Sequence, residues 1–226
     1  MLSRRLNVSP NYKLRRPDIT TRFIEPEVGF IYNCVMRTYR AVNLNVLWFL
    51  IALNVVIFVI TAVRPQEVIG LFGLTPVLLP QQPWTIITSM FVHGGWGHIL
   101  FNMIALYFLG SFLIRAAGER SFLAVFFLGG LAGNALFILL ANPFSTGIGA
   151  SGGIFALAGA LAVIVPRVPV FIFFIPIPMP LWIAVIILIA LSFLFSGIAW
   201  QAHLGGLVLG LVAGLILRRR RPVSYF

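Results

Sequence analysis

Two short segments, GIGASGG and WQAHLGG, hold Ser151 and His203 in otherwise greasy sequence, and a third, FVHGGWGHILFN, adds His93, His98 and Asn102. Polar groups in apolar surroundings are costly unless they carry chemistry. The chemistry these types suit is acyl transfer: a serine hydroxyl is a weak nucleophile that needs an adjacent base, and a neutral imidazole takes and returns a proton near neutral pH. All five acids, Asp18, Glu25, Glu27, Glu67 and Glu119, lie outside the apolar runs. A Ser151–His203 dyad is therefore expected, with the imidazole oriented by packing and with Phe155, one turn beyond the serine, offering a ring surface. His98 and Asn102 are four apart and share a helix face, so both can address a carbonyl oxygen beside Ser151, with the Ser151 backbone N–H as a further oxyanion donor. His93 reads equally as a structural hydrogen-bonding group or as a donor to substrate. Gly149 and Gly152 leave the hydroxyl open to approach. The run 149–153 also fits G-x-S-x-G, but that elbow requires a preceding strand and an α/β pattern that this chain lacks.

The elements that must position these residues are membrane helices. With 60% hydrophobic residues, 9% charged residues and a mean hydropathy of +1.03, the chain is far too apolar for a water-soluble domain, whose charged fraction is about 25%. Runs able to cross a hydrocarbon core lie near Leu44–Val63, Trp96–Leu113, Phe122–Ala141, Ser151–Val165, Leu181–Phe195 and Gln201–Leu217, which predicts an all-α membrane protein of six transmembrane helices. The stretch 166–181, interrupted by five prolines, reads as a loop. The long basic start does not resemble a signal peptide, so the first span is expected to remain as an anchor.

An even number of spans puts both termini on one side. Placing them in the cytoplasm leaves only Arg64 outside among 16 Lys and Arg residues, as the positive-inside rule requires. The net charge of +11 then follows from topology and from attraction to anionic lipid, and nucleic acid is not expected as a partner. Residues 1–43 carry eight basic and three acidic residues and read as a cytoplasmic segment without a core of its own. Cys34 falls there as an ordinary reduced thiol.

In this topology spans two, four and six begin on the outer side, and His93, His98, Asn102, Ser151 and His203 all fall at or near those beginnings. If span four runs from Ser151 to Val165 it is only about 22 Å long, short of a ~30 Å core, so Ser151 lies below the outer surface beside a watered, protein-enclosed cavity. Gly206, Gly210 and Gly214 form a small-residue stripe at four-residue spacing, as do Gly152, Ala156 and Ala160, and two such stripes permit close helix approach. His203 lies on the face of its stripe.

With these residues in view, the chain resembles the rhomboid intramembrane serine proteases. The family's H-x4-H-x3-N reads here as His93, His98 and Asn102, its G-x-S-G as residues 149–152, and its A-H-x-x-G-x3-G as Ala202, His203, Gly206 and Gly210. The resemblance covers roughly residues 44–217. It implies a six-helix rhomboid bundle that cleaves transmembrane segments of other proteins, with Ser151 as nucleophile, His203 as base, and His98 and Asn102 serving the oxyanion. The expected layout is a basic cytoplasmic segment 1–43, a protease domain 44–217 and a basic cytoplasmic tail 218–226, in the cell membrane, with membrane proteins and lipid as partners and with no cofactor or metal. Three departures stand out: Trp84 is followed by Thr85 where many members have Arg, Ile114 stands near where many have Glu, and Phe155 replaces a frequent Tyr. Two other readings are a non-catalytic rhomboid-like protein that binds membrane clients, and a zinc site of His93, His98 and His203, which ignores Ser151 and lacks H-E-x-x-H.

Overall fold

A computed structural model describes residues 43–172, 175–195 and 197–220. Nearly all of the basic segment 1–43, including Cys34, and the tail from 221 lie outside the described residues. The chain runs α1 (Asn45–Val63), α2 (Pro65–Phe72), a 3-10 turn (Pro76–Leu78), a short α3 (Thr85–Thr88), a second 3-10 turn (Ser89–Phe91), α4 (Trp96–Ala117), α5 (Glu119–Leu140), α6 (Ser151–Ile164), β1 (Pro169–Ile172), β2 (Ile175–Pro180), α7 (Leu181–Leu194) and α8 (Trp200–Arg220).

A helix lies in each of the six apolar runs. α1, α4, α5 and α8 are long and apolar enough to cross a membrane, and α6 and α7 are apolar but only 14 residues each. Helices are the natural outcome for such sequence, because they satisfy every backbone polar group internally. Local residues set their ends. Pro65 occupies the first turn of α2, where its missing N–H costs nothing. Gly118 breaks α4 from α5 at a φ of 89°, a backbone region that suits glycine. α5 begins at Glu119, so this carboxylate sits in a helical first turn, where it complements the helix dipole. α6 stops at Ile164, just before the Val165-Pro166 step that disfavours helical backbone.

The loop expected over 166–181 is partly a β-hairpin, which corrects both that reading and the all-α description. Pro169 pairs with Pro180, Val170 with Met179 and Ile172 with Ile175. Pro169 and Pro180 are compatible with the ladder because of their position. Strand N–H groups alternate sides, and Leu181 N–H points to the Val168 carbonyl at 3.0 Å. Pro180 and its partner Pro169 therefore lack N–H groups only on the outer edges of a two-stranded sheet, where proline is tolerated, and the ladder is irregular between the Val170 and Ile172 pairs.

α6 is the hub of the bundle. It packs against α4, α5, α7 and α8, and ten of its 14 residues are buried. A 14-residue helix is about 21 Å long, and enclosure by neighbours lets it be short without baring its ends to lipid. Its contact with α8 is made through the two small-residue stripes. A Cβ at Gly206 would collide with the Gly152 carbonyl oxygen, one at Gly210 with that of Ala156, and one at Gly214 would lie 2.7 Å from that of Ala160. The backbones thus meet in register over three successive turns.

Between α1 and α4, short helices and turns form a cap that sequence periodicity did not reveal. Trp84 Nε1 donates to the Leu71 carbonyl at 2.8 Å and Thr88 Oγ1 to the Phe72 carbonyl at 2.9 Å. Leu74 and Gly147 exchange backbone hydrogen bonds of 2.9 and 2.8 Å, and Thr75 and Thr146 meet through their hydroxyls at 2.8 Å. The cap is therefore fastened to the segment that leads into Ser151.

Candidate active site

Ser151 is the first residue of α6, and its backbone N–H is among those that a helix start leaves without an intrahelical partner. The approach is set by Gly149, whose φ of 115° favours glycine and whose N–H donates to the Ser89 carbonyl at 2.8 Å. A side chain at this position would also meet the His98 ring, whose Nε2 would lie 2.6 Å from its Cβ. Close passage of the Gly149 backbone under His98 thus requires glycine twice over.

His203 lies in the first turn of α8. Its Nε2 is 2.8 Å from Ser151 Oγ, and its ring stacks on Phe155 with centroids 4.3 Å apart and planes inclined by 19°. Such a stack adds about 0.5–1.5 kcal/mol beyond area burial and holds the imidazole plane. The other ring nitrogen is engaged by a residue that sequence reasoning missed. Ser192 Oγ, on α7, lies 2.8 Å from His203 Nδ1 and donates to the Leu188 carbonyl at 2.9 Å. Both ring nitrogens therefore face serines, rather than being turned to share a metal with His93 and His98. The available signal was that Ser192 is the single hydroxyl in an otherwise apolar helix.

His98 and Asn102 lie on α4 as the spacing required, but Asn102 is turned onto its own helix. Its Nδ2 donates to the His98 carbonyl at 2.7 Å, the i−4 back-bond that a short polar side chain makes when no other acceptor is near. One Nδ2 hydrogen remains, and Oδ1 is buried without a partner among the described residues. His93 is fully buried. Its Nδ1 donates to the Phe91 carbonyl at 3.2 Å, and its ring meets His98 edge to face at 4.9 Å. His93 Nε2 has no partner among the described residues.

Beside Ser151 is a small cavity lined by Met90, Gly130, Asn134, Gly149, Gly152 and Ala202 among others. Asn134, also missed in the sequence, donates from Nδ2 to the Ile86 carbonyl at 2.7 Å and to Ser89 Oγ at 3.0 Å, tying α5 to the cap. The three departures have local explanations. Thr85 is buried and donates to the Gln82 carbonyl at 2.7 Å. Ile114 is buried in the core. Phe155 keeps the ring face against His203 without a hydroxyl.

Fold and site together define a helical membrane protein with a serine–histidine pair at a helix start inside its bundle. The family model described as Rhomboid domain matches residues 80–220, and the chain belongs to the rhomboid family. It is similar to RHOMBOID-like protein 12, mitochondrial, of Arabidopsis thaliana, with 31% identity over 61% of this chain and 47% of the relative. It is also similar to Rhomboid protease GluP of Bacillus subtilis, with 30% identity over 59% of this chain and 26% of that protein. Rhomboid-like protease 3 of Toxoplasma gondii matches at 26% identity over 52% of this chain and 47% of its own length. The chain spans less than half the length of each of these relatives.

Proposed function

We propose that the chain is an intramembrane serine endopeptidase that cuts transmembrane segments of other membrane proteins. The observation that carries this reading is the 2.8 Å approach of Ser151 Oγ to His203 Nε2 at a helix start inside an apolar bundle. Ser151 gives its proton to His203 as its oxygen bonds to the substrate carbonyl carbon. The resulting imidazolium passes that proton to the leaving amine as the C–N bond breaks, and water then releases the acyl group by the same exchange in reverse. His98, the remaining Asn102 amide hydrogen and the Ser151 backbone N–H are the oxyanion donors. Phe155, Gly149, Gly152, Gly206 and Gly210 hold the geometry, and His93 supports His98.

The proposed layout is a six-span bundle over residues 44–217 in the cell membrane, with the basic segments 1–43 and 218–226 on the cytoplasmic side. Two relatives carry the name protease, which supports the reading. Cleavage then falls in the outer half of a substrate helix, beside a small residue, in a stretch that unwinds readily because it holds Gly, Pro or polar residues. The small cavity beside Ser151 suits such a side chain.

A reporter carrying one transmembrane segment tests this, with the same susceptible sequence moved between its outer and inner halves and products mapped by mass spectrometry. Cutting is expected in the outer half, with and without chelator. It is expected to be lost, together with fluorophosphonate labelling, in Ser151→Ala. Cutting confined to the inner half contradicts the depth, and activity restored to chelated protein by zinc favours the three-histidine reading.

A further inference from the structure

A general base must present a lone pair to its nucleophile, and a neutral imidazole has one such nitrogen. Which nitrogen carries the lone pair is set by the partner of the other. Resting on the reading of Ser151 and His203 as nucleophile and base, we infer that Ser192 is a positioning residue that fixes His203 in its Nδ1–H tautomer. Its hydroxyl passes the acceptor character of the Leu188 carbonyl across to the ring.

The argument turns on counting protons. Ser192 Oγ has one hydrogen and two neighbours within hydrogen-bonding distance: the Leu188 carbonyl oxygen at 2.9 Å and His203 Nδ1 at 2.8 Å. A carbonyl oxygen only accepts. When the hydroxyl hydrogen goes to Leu188, only lone pairs remain on Oγ, so the contact at Nδ1 must be an N–H donating to Ser192. With Nδ1 protonated, Nε2 carries the lone pair and faces Ser151 Oγ at 2.8 Å. Ser192 is 3% exposed, so water does not compete for either bond. The reverse arrangement, with Ser192 donating to Nδ1, would give up the Leu188 bond and aim an Nε2–H at the serine, which disables the base.

The same chain remains consistent after proton transfer. The imidazolium keeps its Nδ1–H on Ser192 Oγ, and the oxygen lone pair, held toward it by the Leu188 bond, stabilises the charge. A neutral hydroxyl thus serves the orienting role that a carboxylate serves in a triad, where a wrong tautomer costs about 10⁴-fold.

The test compares Ser192→Val with Ser192→Thr in the full chain, because the two side chains share a shape and differ in the hydroxyl. Substrate cleavage gives kcat and KM. The ¹⁵N spectrum of histidine-labelled protein gives the tautomer directly, and with three histidines in the chain the His203 signals are found by their loss in His203→Gln. Ser192→Val is expected to lower kcat about 10- to 100-fold, the scale of one hydrogen bond to a charged group, at unchanged KM and with mixed tautomers at His203. Ser192→Thr is expected to retain both rate and tautomer. A wild-type kcat in Ser192→Val overturns the inference, as does an Nε2–H tautomer at His203 in the unaltered protein, a measurement that stands even if the valine variant fails to fold. Turnover by Ser151→Ala would instead overturn the nucleophile assignment and leave the tautomer result intact, so the two failures are told apart.

Discussion

The two sides of the site differ in how completely their polar atoms are satisfied. On the α6–α7–α8 side, Ser151, His203, Ser192 and the Leu188 carbonyl close a chain of bonds of 2.8, 2.8 and 2.9 Å. On the α4 side, His93 Nε2 and Asn102 Oδ1 are buried with no partner among the described residues, and the Asn102 amide is turned back onto its own helix. A buried unsatisfied polar group costs about 1–3 kcal/mol, and both of these atoms are acceptors, so a donor is the partner they lack. The serine–histidine side is complete at rest. The α4 side is left open at rest: a substrate carbonyl oxygen can take the remaining Asn102 amide hydrogen, but only a donor, such as water or a substrate N–H, satisfies Asn102 Oδ1 and His93 Nε2.

The largest test of that contrast removes the completed side. Ser151→Ala and His203→Ala are each expected to lower cleavage by about 10⁴-fold or more, and the double variant is expected to be no worse than either, because groups that act as one unit are not additive. Additive losses in kcat would show that the two do not work as a unit. On the unfinished side, Asn102→Ala is expected to slow turnover by about 10- to 1000-fold, the range for one oxyanion donor, while fluorophosphonate labelling of Ser151 persists. An unchanged kcat would leave the oxyanion to His98 and the backbone. The smallest effect compares two glycines. Gly206→Ala is expected to destabilise the protein by about 1–3 kcal/mol, because its Cβ meets the Gly152 carbonyl oxygen and the helices must part. Gly70→Ala in α2, where nothing lies within 4 Å of the added carbon, is expected to stabilise by about 0.5–1 kcal/mol. Thermal unfolding in detergent reads both, and equal shifts would deny the seam its special tightness.

Much of this was legible in the sequence because membrane protein makes polar residues conspicuous. A helix in each of the six apolar runs follows from their composition, and the start of α6 lies at Ser151 because glycines precede it and an apolar run follows. The stacking of Phe155 on His203 followed from helical spacing. What escaped notice was polar but ordinary. Ser192 and Asn134 are single residues in apolar helices, where a hydroxyl or amide bonded to its own or a neighbouring backbone is the common outcome, and their partners lie on other elements. The hairpin escaped because prolines read as breakers one at a time, whereas a proline whose missing N–H falls on an outer edge, as at Pro180, removes no ladder bond. The orientation of Asn102 was hidden for a related reason, since helical spacing fixes a face but not which acceptor an amide selects.

The carbonyl-to-glycine contacts between α6 and α8 make the seam a toothed joint. Its teeth are backbone atoms, and they repeat every four residues through Gly206, Gly210 and Gly214 against Gly152, Ala156 and Ala160. The teeth fix one axial setting of the two helices, since a Cβ at any of the three glycines would meet the facing carbonyl oxygen. One notch is about 6 Å of travel along a helix, roughly twice the separation of Ser151 Oγ and His203 Nε2. The same fit that joins the backbones thus holds Ser151 Oγ and His203 Nε2 at 2.8 Å, a separation that a shift of one notch does not preserve.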